Sequence, residues 1–182
     1  MKAIFLDRDG VINEYPGDTK YVTSLKEFRF LPGAKSAIAL LYRRGFRMFV
    51  ISNQAGVGKG LYPQGTLDAI TSRMLKEVRI AGGDIQEVNY CTHRSEENCP
   101  CRKPRAGMIK KMKKKYKAIN LKKSFFIGDT IRDVLTAKDA GCKSILVFTG
   151  KEKKQNQKSW EHQPDFVFKN LLEAAKFIAK NQ

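Results

Sequence analysis

Five short apolar runs recur along this chain: Ala3–Leu6, Arg47–Ser52, Ile85–Tyr90, Ser124–Gly128 and Ser144–Phe148. Apart from the more polar Ile85–Tyr90, each is close to continuously hydrophobic, which is the pattern of a strand buried on both faces. Segments with helical spacing separate them. Ala34, Ala37, Ile38, Leu40 and Leu41 share one face of a helix that Pro32-Gly33 opens and Gly45 stops. Leu67, Ile70, Met74, Leu75 and Val78 do the same between Pro63 and Arg79, and further helices are expected from about Ala106 to Lys117 and from Ile131 to Ala140. Phe166–Phe168 and Leu171–Ala179 read as a last short strand and a terminal helix. Strands that alternate with helices predict an α/β fold, a Rossmann-like parallel sheet with helices on both faces. Ligands bind such sheets beyond the carboxyl ends of the strands. Asp7, Ser52, Cys91 and Asp129 each fall just past the end of a different predicted strand, so they can converge there.

A length of 182 residues suits a single domain, residues 1–182, with a substantial core, and 42% hydrophobic residues agree with a globular chain. No apolar run reaches membrane-spanning length and no signal-peptide hydrophobic region opens the chain, so a cytoplasmic protein without a membrane partner is expected. The net charge of +17 implies an anionic partner, whether a phosphorylated small molecule, nucleic acid or an acidic surface. The lysines between Lys110 and Lys117 are interleaved with Met108, Ile109, Met112, Tyr116 and Ile119 at helical spacing. That segment reads as the solvated basic face of an amphipathic helix in preference to a nucleic-acid site.

Several polar clusters carry candidate chemistry. Asp7 and Asp9 lie two positions apart at the end of the first strand, and while a chain stays extended such residues point to the same side. Two carboxylates that close repel unless a metal or a cationic ligand sits between them. Ser52-Asn53-Gln54-Ala55 ends the second strand before a glycine-rich stretch, which suits a loop wrapping an anion, although an ordinary turn explains it too. Gly128-Asp129 ends the fourth strand, and Asp133 follows on the first turn of a helix, where an acidic residue is favoured by the dipole. Hard oxygen ligands from separate strands describe a magnesium site. Arg102-Lys103 precedes a helix and offers a fork and a point charge for phosphate. Cys91, His93, Cys99 and Cys101 make the Cys3His set of a closed, structural zinc site, a zinc loop over residues 91–103. Cys142 reads as a small buried hydrophobe.

Taken in order, DRDGVIN, ISNQAGVGKG, the Cys-x-His-x5-Cys-x-Cys-Arg-Lys-Pro run and IGDTIRD resemble the haloacid-dehalogenase superfamily, in its zinc-bearing small-phosphatase branch. The likeness covers nearly the whole chain. It implies a magnesium-dependent phosphomonoester hydrolase with Asp7 as nucleophile and Asp9 as acid and base. It implies magnesium held by Asp7, the backbone carbonyl of Asp9, and Asp129. Ser52 and Lys103 would stabilise the transferring phosphoryl group, Asn53, Gln54 and Ala55 would contact substrate, and Arg102 would read a second phosphate. Asp133 would orient Lys103 from behind. No insertion is long enough for a separate cap domain, so a small phosphorylated sugar or other phosphomonoester reaching an open site is expected, acted on by a monomer. Tyr21-Val22, Phe30–Gly33 and Ala106-Gly107-Met108 look more like heptose-bisphosphate phosphatases. Histidinol phosphate is the alternative substrate, with a nucleic-acid end-phosphatase and a non-catalytic zinc-stabilised module behind it.

Overall fold

The computed structural model describes residues 1–157 and 159–181. Six strands, β1 (Ala3–Leu6), β2 (Arg47–Asn53), β3 (Glu87–Cys91), β4 (Phe125–Gly128), β5 (Lys143–Val147) and β6 (Phe166–Phe168), form one sheet. All pairings are parallel, in the order β3-β2-β1-β4-β5-β6. The helices are α1 (Ala34–Arg43), α2 (Ala55–Gly58), α3 (Gln64–Ile80), α4 (Gly107–Lys115), α5 (Ile131–Ala140), α6 (Lys154–Gln157) and α7 (Leu171–Lys180).

Strand periodicity of two divides the apolar residues between the faces. Ile4, Leu6, Met48, Val50 and Ile127 pack with residues of α1, α3 and α7. Ala3, Phe5, Phe49, Ile51 and Phe126 pack with residues of α4 and α5 on the other side. Both faces are therefore covered, which is why these strands are hydrophobic along their whole length. From β1 the chain builds outward to β2 and β3, then crosses back to β4 on the far side of β1 and continues to β5. The order reverses between β1 and β4, and a crevice opens at such a switch point beyond the carboxyl ends of the strands. Asp7 and Asp129 are the first residues past these two strands.

Several boundaries differ from the sequence expectation. β2 and β3 each run one residue further than expected, to Asn53 and Cys91, because the ladder continues through the pairs Ser52↔Tyr90 and Asn53↔Cys91. α4 stops at Lys115, short of Lys117. Tyr116 leaves helical geometry so that its ring packs 5.2 Å from Phe49 and its hydroxyl donates to Glu87 at 2.8 Å. The segment Lys151–Ser159, expected as an exposed loop, contains the one-turn helix α6, and its residue Lys158 lies outside the described residues. Among the described residues no helix is long and apolar enough to cross a membrane. Residues 7–33 connect β1 to α1 without a regular element, tied by isolated bridges from Asn13 to Asp9 and to Phe30.

Candidate active site

The amide of Asp7 donates to the carbonyl of Ile127 at 3.0 Å, so the first residue past β1 is fastened to β4. Its Oδ1 accepts from the Arg8 amide at 2.7 Å, and its Oδ2 lies 2.8 Å from Lys103 Nζ. The same ammonium donates to Asp133 Oδ1 at 2.6 Å. Asp133 Oδ2 in turn accepts from the amides of Asp129 and Thr130 at 3.2 and 3.1 Å, and from the Thr130 hydroxyl at 2.7 Å. One buried carboxylate thus caps α5, shapes the turn after β4 and aims Lys103 at Asp7. Asn53 fixes Lys103 from the other side, accepting from its amide and donating to its carbonyl, both at 3.1 Å. The sequence places Asn53 against substrate; although it lines the cavity, its amide is spent on that backbone. Ser52, 2% exposed, lines the cavity beside Asp7.

Carboxylate oxygens of Asp7, Asp129 and Asp133 lie within 4.8 Å of one another, around a single buried ammonium. Burial pushes Asp129 well above the usual carboxylate range, and the neighbouring charges of Asp133 and Asp7 push it further. Burial also raises Asp7, against the pull of Lys103. Burial works against the charge on Lys103, but Asp133 and Asp7 outweigh it and hold the ammonium protonated. The three clustered carboxylates share one ammonium, so the floor of the crevice is short of positive charge. Asp133 accepts four bonds, three of them on Oδ2, whereas Asp7 accepts one on each oxygen and Asp129, among the described residues, accepts a single one, from the Lys151 amide to Oδ2 at 2.7 Å. Asp7 and Asp129 therefore keep more free lone pairs than Asp133 for a hard divalent cation, and the donor set fits magnesium.

Asp9 is held apart from that cluster. The backbone turns after Asp7, with the amide of Ile12 on the carbonyl of Arg8 at 2.8 Å, so the two carboxylates line one cavity but do not share a partner. Arg8, fully buried, grips Asp9 with Nε on Oδ1 at 3.0 Å and a terminal nitrogen on Oδ2 at 3.2 Å. Gln54 Nε2 and Asn13 Nδ2 each add a bond to Asp9 at 2.9 Å. Burial opposes ionisation of Asp9, but the Arg8 guanidinium and these amides hold it below its ordinary value. Gln54 also accepts from Arg8 and from the Tyr62 hydroxyl, both at 2.9 Å. The expectation that Gln54 contacts substrate is corrected. Its side chain is fully buried, and it positions Asp9 instead. Arg8, Asn13 and Tyr62 were not singled out from the sequence. The one available signal was a basic residue between two aspartates.

The cavity over this floor measures about 500 Å³. Ala55 joins its lining, and Lys20, Lys59, Arg102, Arg132 and Lys151 make it strongly basic. The loop from Tyr15 to Tyr21 forms one wall. Asp18 holds that loop down, accepting from the Tyr15 hydroxyl at 2.6 Å and pairing with Lys151 Nζ at 2.9 Å. Nothing in the sequence pointed to Lys151, whose amide and ammonium meet groups far apart along the chain. A larger recess of about 770 Å³ lies behind the same loop, but none of the clustered carboxylates lines it.

Cys91, His93, Cys99 and Cys101 converge as the spacing suggests. Their Sγ atoms are 3.2–3.4 Å apart, and His93 Nδ1 lies 3.3 Å from Cys101 and 3.6 Å from Cys91. Tetrahedral zinc–thiolate bonds would set the sulfur–sulfur edges at about 3.8 Å, so the set fits zinc after a few tenths of an ångström of expansion. All three thiols are free. Burial lifts Cys91 to about 12. Burial also opposes ionisation of Cys99, yet thiol donation from Cys101 and Cys91 and nearby amides bring it to about 7. Arg105 bonds the carbonyls of Asn98 and Cys99 across the loop, and Arg102 donates to the His93 carbonyl at 3.2 Å. Two residues after Cys101 the chain reaches Lys103, so this cluster governs where the ammonium is delivered.

Residues 100–174 match the family model described as HAD-hydrolase-like. The D-glycero-β-D-manno-heptose-1,7-bisphosphate 7-phosphatase of Pseudomonas putida is 39% identical over 158 residues, covering 87% of this chain and 89% of that protein. The chain belongs to the HAD-like hydrolase family. The α-anomer-named 7-phosphatase of Campylobacter jejuni is 35% identical over 179 residues, covering 97% and 95% of the two chains. Among solved structures, the D,D-heptose 1,7-bisphosphate phosphatase of B. bronchiseptica, complexed with magnesium and phosphate, superposes with a TM-score of 0.91 at 33% identity, over 100% of both chains. This HAD-like hydrolase thus shares the length and the whole fold of such enzymes.

Proposed function

We propose that this hydrolase removes the 7-phosphate of D-glycero-D-manno-heptose 1,7-bisphosphate through an aspartyl-phosphate formed on Asp7. The observation that carries the reading is the division of labour between two carboxylates in one cavity. Asp7 faces Lys103 at 2.8 Å and the Asp129 side of the crevice, while Asp9 is bonded to Arg8, Gln54 and Asn13. A nucleophile needs an electropositive partner for the phosphoryl oxygens, and a proton-transfer group must be oriented independently of it. Asp7 attacks phosphorus in line, with Lys103 and Ser52 beside it to stabilise the charge on the transferring oxygens. Asp9 gives a proton to the leaving alkoxide, then takes one from the water that hydrolyses the aspartyl-phosphate. The Arg8 pair suits the second half of that role; the first requires Asp9 to take up a proton with the substrate.

Asp7, Asp129 and the backbone carbonyl of Asp9 would hold magnesium, which when bound supplies the positive charge that lets an anionic phosphate approach an anionic nucleophile. The Cys3His cluster would hold zinc as a structural clamp. Arg102, with Lys59, Arg132 and Lys151, gives the cavity the charge that a second phosphate on the sugar calls for. A relative named for the β anomer is 39% identical and one named for the α anomer 35%, so both anomers belong in the assay. The test is relative kcat/KM, with magnesium, on both heptose 1,7-bisphosphates, histidinol phosphate and a 3′-phosphorylated oligonucleotide. A heptose bisphosphate should lead, and Asp7→Asn should abolish release while circular dichroism is unchanged. A lead for histidinol phosphate would overturn the substrate. Absence of turnover on a broad phosphomonoester panel would leave a binding module.

A further inference from the structure

Every strand runs the same way, so residues that immediately precede or begin strands are gathered at one edge of the sheet, opposite the catalytic crevice. Lys2 precedes β1, Lys122 and Lys123 precede β4, and Lys143 opens β5, three strands that are neighbours. These four lysines and Phe125 line an open pocket of about 260 Å³. Among the described residues none of the four has a carboxylate partner. The acid nearest in the ladder order, Asp165 before β6, is already taken by the amide and hydroxyl of Ser144, each at 2.7 Å.

Other basic residues reach this edge for a local reason. Arg43, Arg79 and Lys138 occupy last turns of helices, where the dipole favours a cation. Lys2, Lys143 and the pair before β4 lie outside any α-helix, so that explanation does not cover them. Four unpaired ammonium groups facing one pocket repel one another, which an anion of several charges would relieve.

The ligand class follows from what the pocket lacks. Its single ring, Phe125, is 2% exposed, with Lys143 Nζ 5.6 Å above its centre, so no base can stack on it. No guanidinium fork lines it for bidentate reading. Recognition by point charges alone fits a phosphate chain without bases. We propose that this amino-end pocket binds linear oligophosphate, free or as part of a longer polyphosphate, independently of catalysis and of the substrate proposed above. The pocket lies a strand's length from Asp7, so the bound chain is a ligand there and not a substrate.

The test is calorimetric titration of the full chain with tripolyphosphate and with long-chain polyphosphate, paired with amide chemical-shift mapping. Saturable binding should perturb Lys2, Lys123 and Lys143, and the Lys2, Lys122, Lys123, Lys143→Gln variant should weaken it at least tenfold with turnover unchanged. A charge-matched control, Lys26, Lys76, Lys169, Lys176→Gln, should change affinity less than twofold. Equal loss in both variants would show diffuse charge attraction and overturn the site. Shifts confined to Ser52, Asn53 and Lys103 would place the anion in the catalytic crevice and overturn it as well. Tighter binding of a single-stranded RNA of matched charge would assign the surface to nucleic acid instead.

Discussion

Asp133→Asn is the substitution that tests the site's construction most directly. The Lys103–Asp133 pair is buried on both sides, with side chains 3% and 1% exposed, which removes it from the regime of weak surface ion pairs. Breaking such a pair from one side typically costs about 3–5 kcal/mol, because the remaining charge stays buried. Asparagine cannot substitute, since both carboxylate oxygens accept, one from Lys103 and the other from Asp129, Thr130 and the Thr130 hydroxyl. Whichever way the amide turns, its NH2 meets a donor. Asp7 still faces Lys103, so a value toward the lower end, about 3 kcal/mol, is expected. For a chain of this length that corresponds to a fall in Tm of roughly 6–12 °C. Released from Asp133, Lys103 loses its aim at Asp7, and under the proposed role of Lys103 kcat should fall by about 10²–10³. Urea denaturation gives the first number and phosphate release the second. A variant within about 1 kcal/mol of the parent with kcat intact would refute the argument. So would Lys103→Met, if it tolerated Asp133 and Asp7 uncompensated without loss of stability.

Elemental analysis should find about one zinc per chain, and Cys101→Ala or chelation should lower both Tm and kcat, since the cluster leads directly into Lys103. Finding no zinc in protein purified without chelator would reject the assignment. A Cβ on Gly150 would stand 1.9 Å from Asp129 Oδ2 and 2.7 Å from its Cβ, so Gly150→Ala must displace a buried carboxylate. We expect about 1–3 kcal/mol of destabilisation and a magnesium requirement raised at least tenfold, measured by activity against magnesium concentration; an unchanged requirement would exclude Asp129 from the metal. Glu87 is held below its ordinary value: burial opposes this, but bonds from Lys115, Tyr116 and Asn89 prevail. A lowered carboxyl contributes stability that is present above its unfolded value and lost as pH falls through the folded one. Acid unfolding of Glu87→Gln should therefore show a smaller decline over that window than the parent, and identical profiles would dismiss the contribution.

Much of this protein was legible in its residues. Continuous apolar runs separated by amphipathic helices determine a parallel sheet covered on both faces, because only such burial accommodates them. The convergence of Cys91, His93, Cys99 and Cys101 was legible because thiols and imidazole at short spacing have few other uses, and that of Asp7 and Asp129 because strand ends in such a sheet share one crevice. Other features depend on contacts between residues far apart in the chain. Ser52 and Cys91 lie inside the ladder because pairing with a neighbouring strand, and not local pattern, decides where a strand stops. Gln54 is fully buried, bonded to Arg8 and Tyr62 and out of reach of the cavity, and Lys151 joins the site through Asp18 and Asp129. The sequence by itself determined which groups stand at the carboxyl edge of the sheet. Only the tertiary structure decided which carboxylate has room for a metal, which is spent on Lys103 and which is held by a buried arginine. That division is set by hydrogen-bond geometry over a few ångströms, and spacing along the chain does not encode it.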